Sequence, residues 1–400
     1  MRVYVIETLG KGGLIHYSFH MCRALQRVGV DTTLVTSKDY ELEGYPHEFR
    51  LVKLLNLWDP RTGKDASMIR RRLRRAVRGV QYIYEWLRLV RYLRQEKPDV
   101  IMFGEMRFAF EARFLRMLRA SGLKLADIVH DVQTYDVSRG SAAIVQESQA
   151  HLARYNALYN LFSALFIHSR SNYELFLDLY DVPPERVHQI EHATSELMLE
   201  VPQQYTADEL KHKLGIPTGK AVVTFFGTVT KYKGVEDLIQ AFPAVVKATG
   251  AQLLIAGYPT KDIDSDELRE LAKELGIADS VSWFLDYVPN EWVATVMELS
   301  DVVVLPYRAI TQSGVLQIAY ACGKPVVVTR VGGLPDIVEA GKSGLIAEAG
   351  NPESLVSAIT GVILDPEKAH QMGEYAHELS ETRYSWRTVA ETIKSVFEKL

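Results

Sequence analysis

The sequence is poor in cysteine and lacks long apolar runs. Its 400 residues contain two cysteines, Cys22 and Cys322, which is too few for a disulfide-built extracellular scaffold. Both lie in apolar helical patterns, so we expect buried free thiols in a reducing compartment. No apolar run approaches the roughly 20 residues of a membrane-spanning helix. The first strand begins at Arg2 without a basic, apolar leader, and we therefore expect a cytoplasmic protein.

Metal-ligand spacings of histidine and cysteine are also missing, so we expect no metal site. Hydrophobic residues make up 47% of the chain and charged residues 24%, values that exclude a disordered or fibrous protein. The net charge of -4 is uneven. Residues 1–200 carry 28 basic and 24 acidic side chains, and residues 201–400 carry 18 and 26. An acidic partner is therefore expected to meet the first half.

Short β-branched runs alternate with helical periodicity along both halves of the chain. The predicted strands are 2–6, 31–36, 100–103, 125–129, 164–168, 187–190, 221–226, 252–256, 281–284, 302–305 and 325–329. The predicted helices are 14–28, 66–96, 107–121, 142–160, 171–180, 235–249, 264–275, 290–299, 313–322, 334–340, 352–364 and 386–399. This alternation predicts an α/β fold with two Rossmann-like domains, each a parallel sheet covered on both faces. Prolines and glutamines between residues 199 and 217 mark the expected boundary.

Several predicted strands end in glycine or small residues and lead into a helix. The segments are Gly10-Lys-Gly12-Gly13, Phe226-Gly227 through Lys233-Gly234, Gln312-Ser313-Gly314, and Gly332-Gly333-Leu-Pro335-Asp336. Each directs backbone N–H groups and the positive end of a helix outward. The pattern is typical of a site that holds a phosphorylated ligand.

The order and spacing of these segments, with His130, Ala321-Cys-Gly-Lys-Pro325 and Tyr384-Ser-Trp386, resemble the retaining glycosyltransferases of family 4. That family has the GT-B fold, in which two Rossmann-like domains face each other across a cleft. The resemblance implies an acceptor-side domain at 1–200, a nucleotide-sugar domain at 201–385, and a helix at 386–400 that returns to the first domain.

The resemblance also implies an activity. We expect a hexosyltransferase that moves a hexose from a nucleoside-diphosphate sugar to a glycan or lipid-linked acceptor in cell-surface polysaccharide or glycolipid synthesis. Neither a cofactor nor a dedicated nucleophile is expected, because positioning and charge stabilisation carry this chemistry. Two rivals remain open: a non-catalytic nucleotide-sugar-binding module, and a nucleotide-sugar epimerase on the same fold.

The donor site is expected in the second half of the chain. Lys233 follows Gly227 by six residues, the family's spacing for the lysine on the donor diphosphate, although a solvated lysine at a helix start is the plain alternative. By resemblance, the catalytic residues are His130 and Lys233. The donor-binding residues are Gly12, Gly13, Gly227, Thr228, Lys233, Tyr258, Tyr287, Val288, Gln312, Ser313, Gly314 and Val315.

The sequence departs from the family pattern at two places. Thr228 stands where the family has an arginine, so Lys231 or Arg308 is expected to supply the missing cation, or the diphosphate is held more weakly. Ile310 and Ile318 stand at the positions of two glutamates, which makes Gln312-Ser313-Gly314 a variant donor grip. The alternative is that Ser313 only caps a helix. Asp336 is equally open, because a carboxylate near a helix start is favourable without any ligand.

The acceptor side is expected around His130, which in related enzymes contacts the hydroxyls of the donor sugar. Asp131 could orient its ring. His16, on the helix after Gly13, and His192, after the last strand of the first domain, are expected to face the cleft. Arg308 is a further cleft candidate.

A basic helix is predicted between Met68 and Gln95, with nine arginines and one acid, Glu85. We expect its apolar stripe to pack inward while the arginines face anionic lipid or a lipid-diphosphate acceptor. The stripe consists of Ile69, Leu73, Val77, Val80, Tyr84, Leu87 and Val90. The alternative is simple solvation. The residues assigned to the membrane surface are Arg70, Arg71, Arg74, Arg75, Arg78 and Trp86. This would place the protein on the inner face of the cell membrane; nucleic acid is not expected, because no binding motif accompanies the charge.

Overall fold

A computed structural model describes residues 1–57, 68–132, 135–136, 143–144, 148–193, 197–310 and 312–400. Within these ranges the side chains of 68–76, 135–136, 143–144 and 197–198 are left undescribed. The chain forms two parallel sheets, each covered by helices. The predicted α/β class with two Rossmann-like domains is confirmed.

The first sheet has seven parallel strands in the order β3-β2-β1-β4-β5-β8-β9. Its strands are β1 (Arg2–Ile6), β2 (Asp31–Ser37), β3 (Arg50–Leu55), β4 (Val100–Phe103), β5 (Lys124–Val129), β8 (Ala164–His168) and β9 (Val187–Ile190). An antiparallel ribbon consists of β6 (Tyr135–Asp136) and β7 (Ala143–Ile144). The helices are α1 (Gly13–Arg27), α2 (Met68–Glu96), α3 (Ala112–Arg119), α4 (Gln149–Tyr159), α5 (Arg170–Leu179) and α6 (Leu197–Glu200).

The second sheet has six parallel strands in the order β12-β11-β10-β13-β14-β15. Its strands are β10 (Val222–Phe226), β11 (Gln252–Ala256), β12 (Val281–Phe284), β13 (Val302–Leu305), β14 (Val326–Thr329) and β15 (Gly344–Ala347). The helices are α7 (Ala207–Lys213), α8 (Val235–Thr249), α9 (Ser265–Glu274), α10 (Asn290–Glu298), α11 (Gly314–Ala321), α12 (Leu334–Ile337), α13 (Pro352–Ile363), α14 (Pro366–Glu381) and α15 (Trp386–Phe397).

Each sheet has its own hydrophobic core. One core runs from Leu210 to Tyr384 and contains the fully buried central strands of the second sheet. Two clusters fill the two faces of the first sheet, and one of them includes Trp386, Ile393 and Phe397 of α15. The last helix therefore packs against the first domain, mainly on α1, although it follows the second domain in sequence.

Sequence reasoning missed β3 and β15, which lie at sheet edges, and the short ribbon of β6 and β7. The helix predicted at 142–160 was wrong in its first part, because residues 143–144 form β7 and α4 begins at Gln149. An edge strand is covered on fewer sides, so its residues carry less of the continuous apolar signal of a central strand. Arg50 and Lys53 interrupt β3, and two of the four residues of β15 are only partly buried. Helices α7 and α14 were also missed, and both have strongly polar sequences.

The orientation of α2 corrects the predicted membrane face. Trp86 is 2% exposed and stacks between Phe103 and Phe114, with ring centroids 5.8 and 5.1 Å away. It belongs to the core and cannot meet lipid, so its assignment to a membrane surface was wrong. The sheet is covered by the helix face that carries Trp86, Leu89 and Leu93.

The stripe that was expected to pack inward is instead exposed over most of its length. Val77, Val80, Tyr84 and Leu87 are between 45% and 70% exposed. The helix has two apolar faces, and the larger aromatic anchor decided which one faces the sheet. Arg78 is partly buried, while the side chains of Arg70, Arg71, Arg74 and Arg75 lie outside the described ones.

Candidate active site

A cavity of about 820 Å³ lies where the carboxyl ends of the two sheets face each other. Residues after β1, β5 and β9 form one wall, and residues after β10, β11, β12 and β13 form the other. This is the usual position of ligands in open α/β sheets. The described lining residues include Gly12, Gly13, His16, Tyr17, Glu41, Tyr45, His130, His192, Gly227, Thr228, Lys233, Tyr258, Tyr287, Val288, Asn290, Gly314, Val315 and Trp386.

Lys233 supplies the charge of the second wall. It is the only lysine or arginine among the described lining residues. Its Nζ donates a hydrogen bond to Thr228 Oγ1 at 2.9 Å and lies 5.6 Å from the ring centroid of Tyr307. Burial lowers its pKa from 10.5 to about 8, so the ammonium is still mainly charged at pH 7 and is poorly solvated. A poorly solvated cation attracts a phosphate more strongly than an exposed one.

Glycines let the backbone of this wall pack tightly around Lys233. A Cβ at Gly257 would lie 1.8 Å from the Gly227 carbonyl oxygen, and a Cβ at Gly234 would lie 2.0 Å from the Pro306 oxygen. Gly234 also has φ of 66°, which favours glycine. The turns after β10 and β11 therefore cannot accept side chains at these positions without moving.

Neither candidate for the missing cation lies on the cavity wall. Arg308 donates to both carboxylate oxygens of Asp237, at 2.8 and 2.6 Å, and its Nη1 lies 3.4 Å from Glu236. These acids hold the guanidinium at the start of α8, so Arg308 is not among the described lining residues, and neither is Lys231. Thr228, at the family's arginine position, instead holds Lys233.

The variant segment contributes its later residues to the cavity. Gly314, Val315 and Ile318 line it, whereas Gln312 and Ser313 are not among the described lining residues. Ser313 Oγ accepts the Leu316 N–H at 3.5 Å, and the residue is 5% exposed. It therefore serves as the cap of α11. Both amide atoms of Gln312 are buried and have no hydrogen-bond partner within the described part of the chain.

Histidine and aromatic side chains line the cavity wall that the first domain contributes. The Tyr17 ring lies 4.8 Å from His130, 5.6 Å from His192 and 4.9 Å from Trp386, measured between centroids. Desolvation lowers the pKa of His130 to about 3 and that of His192 to about 4. Both rings are therefore neutral at pH 7, and each can donate from one nitrogen and accept at the other.

Several polar atoms on this wall lack a hydrogen-bond partner among the described residues. They are His16 Nδ1, Tyr17 Oη, His130 Nε2 and His192 Nδ1. Buried polar atoms are normally hydrogen-bonded. Unpaired donors and acceptors beside a cavity can be satisfied by the hydroxyl groups of a ligand.

The remaining predicted residues lie at the rim or outside the cavity. Tyr258 and Tyr287 are 54% and 65% exposed and project at the cavity mouth. Asp131 is exposed and is not among the described lining residues. Asp336 accepts the Ser171 N–H across the domains at 3.0 Å. This contact with the start of α5 favours a structural role for Asp336.

Sequence reasoning missed several lining residues, among them Tyr17, Glu41, Tyr45, Asn290 and Trp386. Tyr17 could have been found, because it directly follows His16 on a helix that begins at the glycine turn. Glu41 and Tyr45 lie in an irregular segment after β2 and carry no motif. Their position on the wall follows only from the fold.

A larger groove, of about 940 Å³, lies between α1 and α15. Arginines and glutamates alternate along it, and Arg23 and Arg387 pair with Glu200 and Glu391 at 2.9 Å. It lacks the glycine turns at strand ends that hold phosphate groups. Among the described residues, no group of three or more His, Cys, Asp or Glu side chains has a metal-binding arrangement.

Comparison with known proteins agrees with this geometry. Residues 206–379 match the family Glycosyl transferases group 1, and residues 12–192 match the Glycosyl transferase 4-like domain. The D-inositol 3-phosphate glycosyltransferase of Corynebacterium glutamicum is 28% identical over 255 residues, covering 63% of this chain and 60% of that protein. The enzyme of the same name from Corynebacterium jeikeium is 33% identical over 195 residues, or 48% and 46% of the two chains. The chain thus spans about half of these relatives.

Solved structures show the same fold over the whole chain. Sucrose-phosphate synthase from Thermosynechococcus elongatus superposes with a TM-score of 0.74 at 19% identity, covering 100% of this chain and 98% of that one. Anabaena Alr3699/HepE in complex with UDP-glucose gives 0.73 at 18% identity, with complete coverage of both chains. With glycosyltransferase family matches that together span most of the chain, it belongs to the GT4-like glycosyltransferases, and the shared architecture shows the GT-B fold.

Proposed function

We propose that the chain is a retaining, metal-independent hexosyltransferase that moves a hexose from a nucleoside-diphosphate sugar to a glycan or lipid-linked acceptor. One observation carries the proposal: Lys233, the only cation among the described lining residues, is desolvated and lies beside the tightly packed glycine turns of the second sheet. A diphosphate is the ligand that such a wall favours most.

The two walls have different roles, since one stabilises the charge of the diphosphate and the other binds the sugar. Lys233 neutralises the charge that develops on the departing diphosphate, and Thr228 fixes its position. The neutral His130 and His192 hydrogen-bond sugar hydroxyls with atoms that are otherwise unpaired. The departing phosphate takes the proton of the acceptor on the same face of the sugar, so the scheme depends on positioning and charge stabilisation, without a carboxylate nucleophile.

A donor panel tests the proposal. Calorimetry with UDP-, GDP- and ADP-hexoses should identify one donor that binds, and the same donor should be transferred to a lipid-linked acceptor with retention, as read by NMR of the product. Binding without transfer or hydrolysis would support a binding module. Conversion of the free nucleotide-sugar without acceptor would support an epimerase. Failure of every donor to bind would end the proposal.

We also propose that the protein contacts an anionic membrane through the exposed face of α2. Five exposed apolar side chains belong to this helix, namely Val77, Val80, Ile83, Tyr84 and Leu87. The exposed Phe108 and Phe110 adjoin it, with ring centroids 5.6 and 5.8 Å from that of Tyr82. The rings of Phe108 and Phe110 stack at 5.4 Å. Arg91 is exposed one turn beyond Leu87 on the same face. Apolar groups flanked by arginine suit the interface of an anionic bilayer. Among the described residues, no helix is long and apolar enough to span one.

Vesicle sedimentation tests this surface. The double variant Val80→Glu, Leu87→Glu should lose at least about tenfold in binding to vesicles containing phosphatidylglycerol, because each side chain forfeits the burial of an apolar group. Leu364→Glu is the matched control, since Leu364 is 63% exposed in the other domain. Equal binding by the double variant and the control would rule the surface out.

A further inference from the structure

The charges of the cavity lie on opposite walls. Among the described lining residues, Lys233 is the only basic residue and Glu41 the only acidic one. Lys233 belongs to the second domain, and Glu41 belongs to the segment between β2 and β3 of the first. A ligand that spans the cavity therefore meets a cation at one end and a carboxylate at the other.

Glu41 is held in a defined position. Its Oε1 accepts the Gly12 N–H at 2.7 Å and lies 3.2 Å from His16 Nε2. The Glu41 N–H in turn donates to the Gly10 carbonyl at 3.0 Å. The hydrogen bonds among the described residues leave Oε2 unused, and the side chain remains 34% exposed. The carboxylate is therefore fixed by one oxygen and offers the other to a ligand.

No cation offsets this carboxylate on the described part of the first wall. Neither Lys38, three residues before Glu41, nor Lys11, beside Gly12, is a described lining residue, and Lys11 lies 3.8 Å from Asp39. Desolvation lowers the pKa of His16 below 6.5 despite the opposing effect of the adjacent Glu41, and it keeps the pKa values of His20, His130 and His192 at about 3 to 4. These rings are therefore mainly neutral at pH 7. A phosphate placed here would face a like charge in a poorly solvated cavity, which is unfavourable.

We propose that Glu41 selects an acceptor whose reacting end is a neutral, polyhydroxylated sugar, and disfavours a sugar phosphorylated near the accepting hydroxyl. A carboxylate accepts strong hydrogen bonds from hydroxyl groups. Leu42 and Tyr45, on the same segment, extend the wall beside it, and the Tyr45 hydroxyl accepts from Asn290 Nδ2 at 3.3 Å. Any phosphate of a lipid-linked acceptor then lies outside the cavity. The inference rests on the proposed function.

Matched acceptor pairs test the inference. With the donor found by calorimetry, the wild-type enzyme is given octyl glucoside, octyl galactoside, octyl mannoside and octyl N-acetylglucosaminide, each beside its 6-phosphate. We measure kcat/KM by product mass spectrometry and measure binding by saturation-transfer NMR with the nucleoside diphosphate present. The neutral member of at least one pair should react or bind about tenfold better than its phosphate. Preference for the phosphorylated members, or no binding by any neutral sugar, overturns the inference.

The variant Glu41→Gln keeps the size of the side chain and its acceptor for Gly12 but removes the charge. It should raise the acceptor KM about tenfold or more, with a smaller change in donor KM. It should also reduce the preference for the neutral acceptor over its 6-phosphate. Glu43→Gln, at a neighbouring exposed residue paired with Lys53, should behave as wild type. An unchanged acceptor KM in Glu41→Gln counts against the inference. Absence of donor binding would instead defeat the proposed function.

Discussion

The two walls of the cavity are built by different means. The second-domain wall consists of backbone turns and one lysine, with glycines at 227, 234 and 257 packed so closely that added Cβ atoms would lie 1.8 to 3.2 Å from their nearest neighbours. The first-domain wall consists of side chains, and its glycines at 12 and 13 have no atom within 4 Å of an added Cβ. A wall of backbone suits a charged group common to many donors, whereas a wall of side chains can vary with the acceptor.

The largest expected effect concerns the charge of the second wall. Lys233→Ala should lower kcat by roughly 10²- to 10³-fold, because it removes the only described cation beside the departing diphosphate. Steady-state kinetics with the identified donor checks this. Lys231→Ala is the matched control, since that lysine is two residues away and is not a described lining residue. An equal loss of kcat in both variants would show that the overall positive charge of this segment matters, rather than the position of Lys233.

The packing of the second wall predicts a loss of stability. Gly234→Ala should lower the free energy of unfolding by roughly 2–5 kcal/mol, because φ is 66° and the new Cβ would overlap the Pro306 oxygen at 2.0 Å. Gly250→Ala is the control at the other end of α8. It has φ of 68° but no atom within 4 Å, so it should cost only about 1 kcal/mol. Thermal unfolding compares the two; similar losses would remove the packing argument.

The loosely packed glycines of the first-domain wall predict the opposite result, a change in ligand binding without a loss of stability. Gly13→Ala should change the free energy of unfolding by no more than about 0.5 kcal/mol, since the Cβ meets nothing within 4 Å and alanine suits a helix start. Donor or acceptor KM should nevertheless rise about tenfold, because the methyl group projects into the cavity. Kinetics and thermal unfolding on the same preparation separate the two effects. Unchanged KM values would show that ligands do not approach this turn.

The lowered pKa of Lys233 predicts an alkaline limit to donor use. The ammonium loses its proton near pH 8, so kcat/KM for the donor should fall about tenfold per pH unit above that value. Lys233→Arg stays charged and should retain a flat alkaline profile, whatever its absolute rate. The contribution of Lys233 to stability changes in the opposite direction. Between pH 8 and 10.5 the unfolded state binds more protons than the folded state, so rising pH increases the free energy of unfolding. A wild-type profile flat to pH 10 would contradict the assignment.

The smallest expected effect concerns Asp336 at the domain boundary. Asp336→Asn keeps an acceptor for the exposed hydrogen bond to Ser171 N–H, so stability should change by less than about 1 kcal/mol. Donor KM should stay within about twofold. A tenfold rise in donor KM would instead indicate that Asp336 contributes to the donor site, which is the other role that its glycine-rich segment allows.

Much of the fold and of the second wall could be predicted from local sequence. Central strands such as Val222–Phe226 are continuous apolar runs, and Gly227, Lys233 and Gly314 lie at strand ends that lead into helices. The edge strands β3 and β15 and the orientation of α2 could not be predicted, since all three depend on which faces the neighbouring elements cover. Trp86 and Val80 both fit a helical stripe, and only packing against Phe103 and Phe114 separates core from surface.

The sequence by itself determined the parallel α/β architecture and the glycine turns of the second wall. Both are local properties, because strand periodicity, glycine conformation and helix starts are set within a few residues. Only the tertiary structure decided that Tyr17, Glu41 and Trp386, which lie up to 369 residues apart in the chain, meet on the first wall beside the predicted His130 and His192. It also decided that Arg308 is bound by Asp237 rather than facing a ligand. Such contacts depend on how distant segments pack.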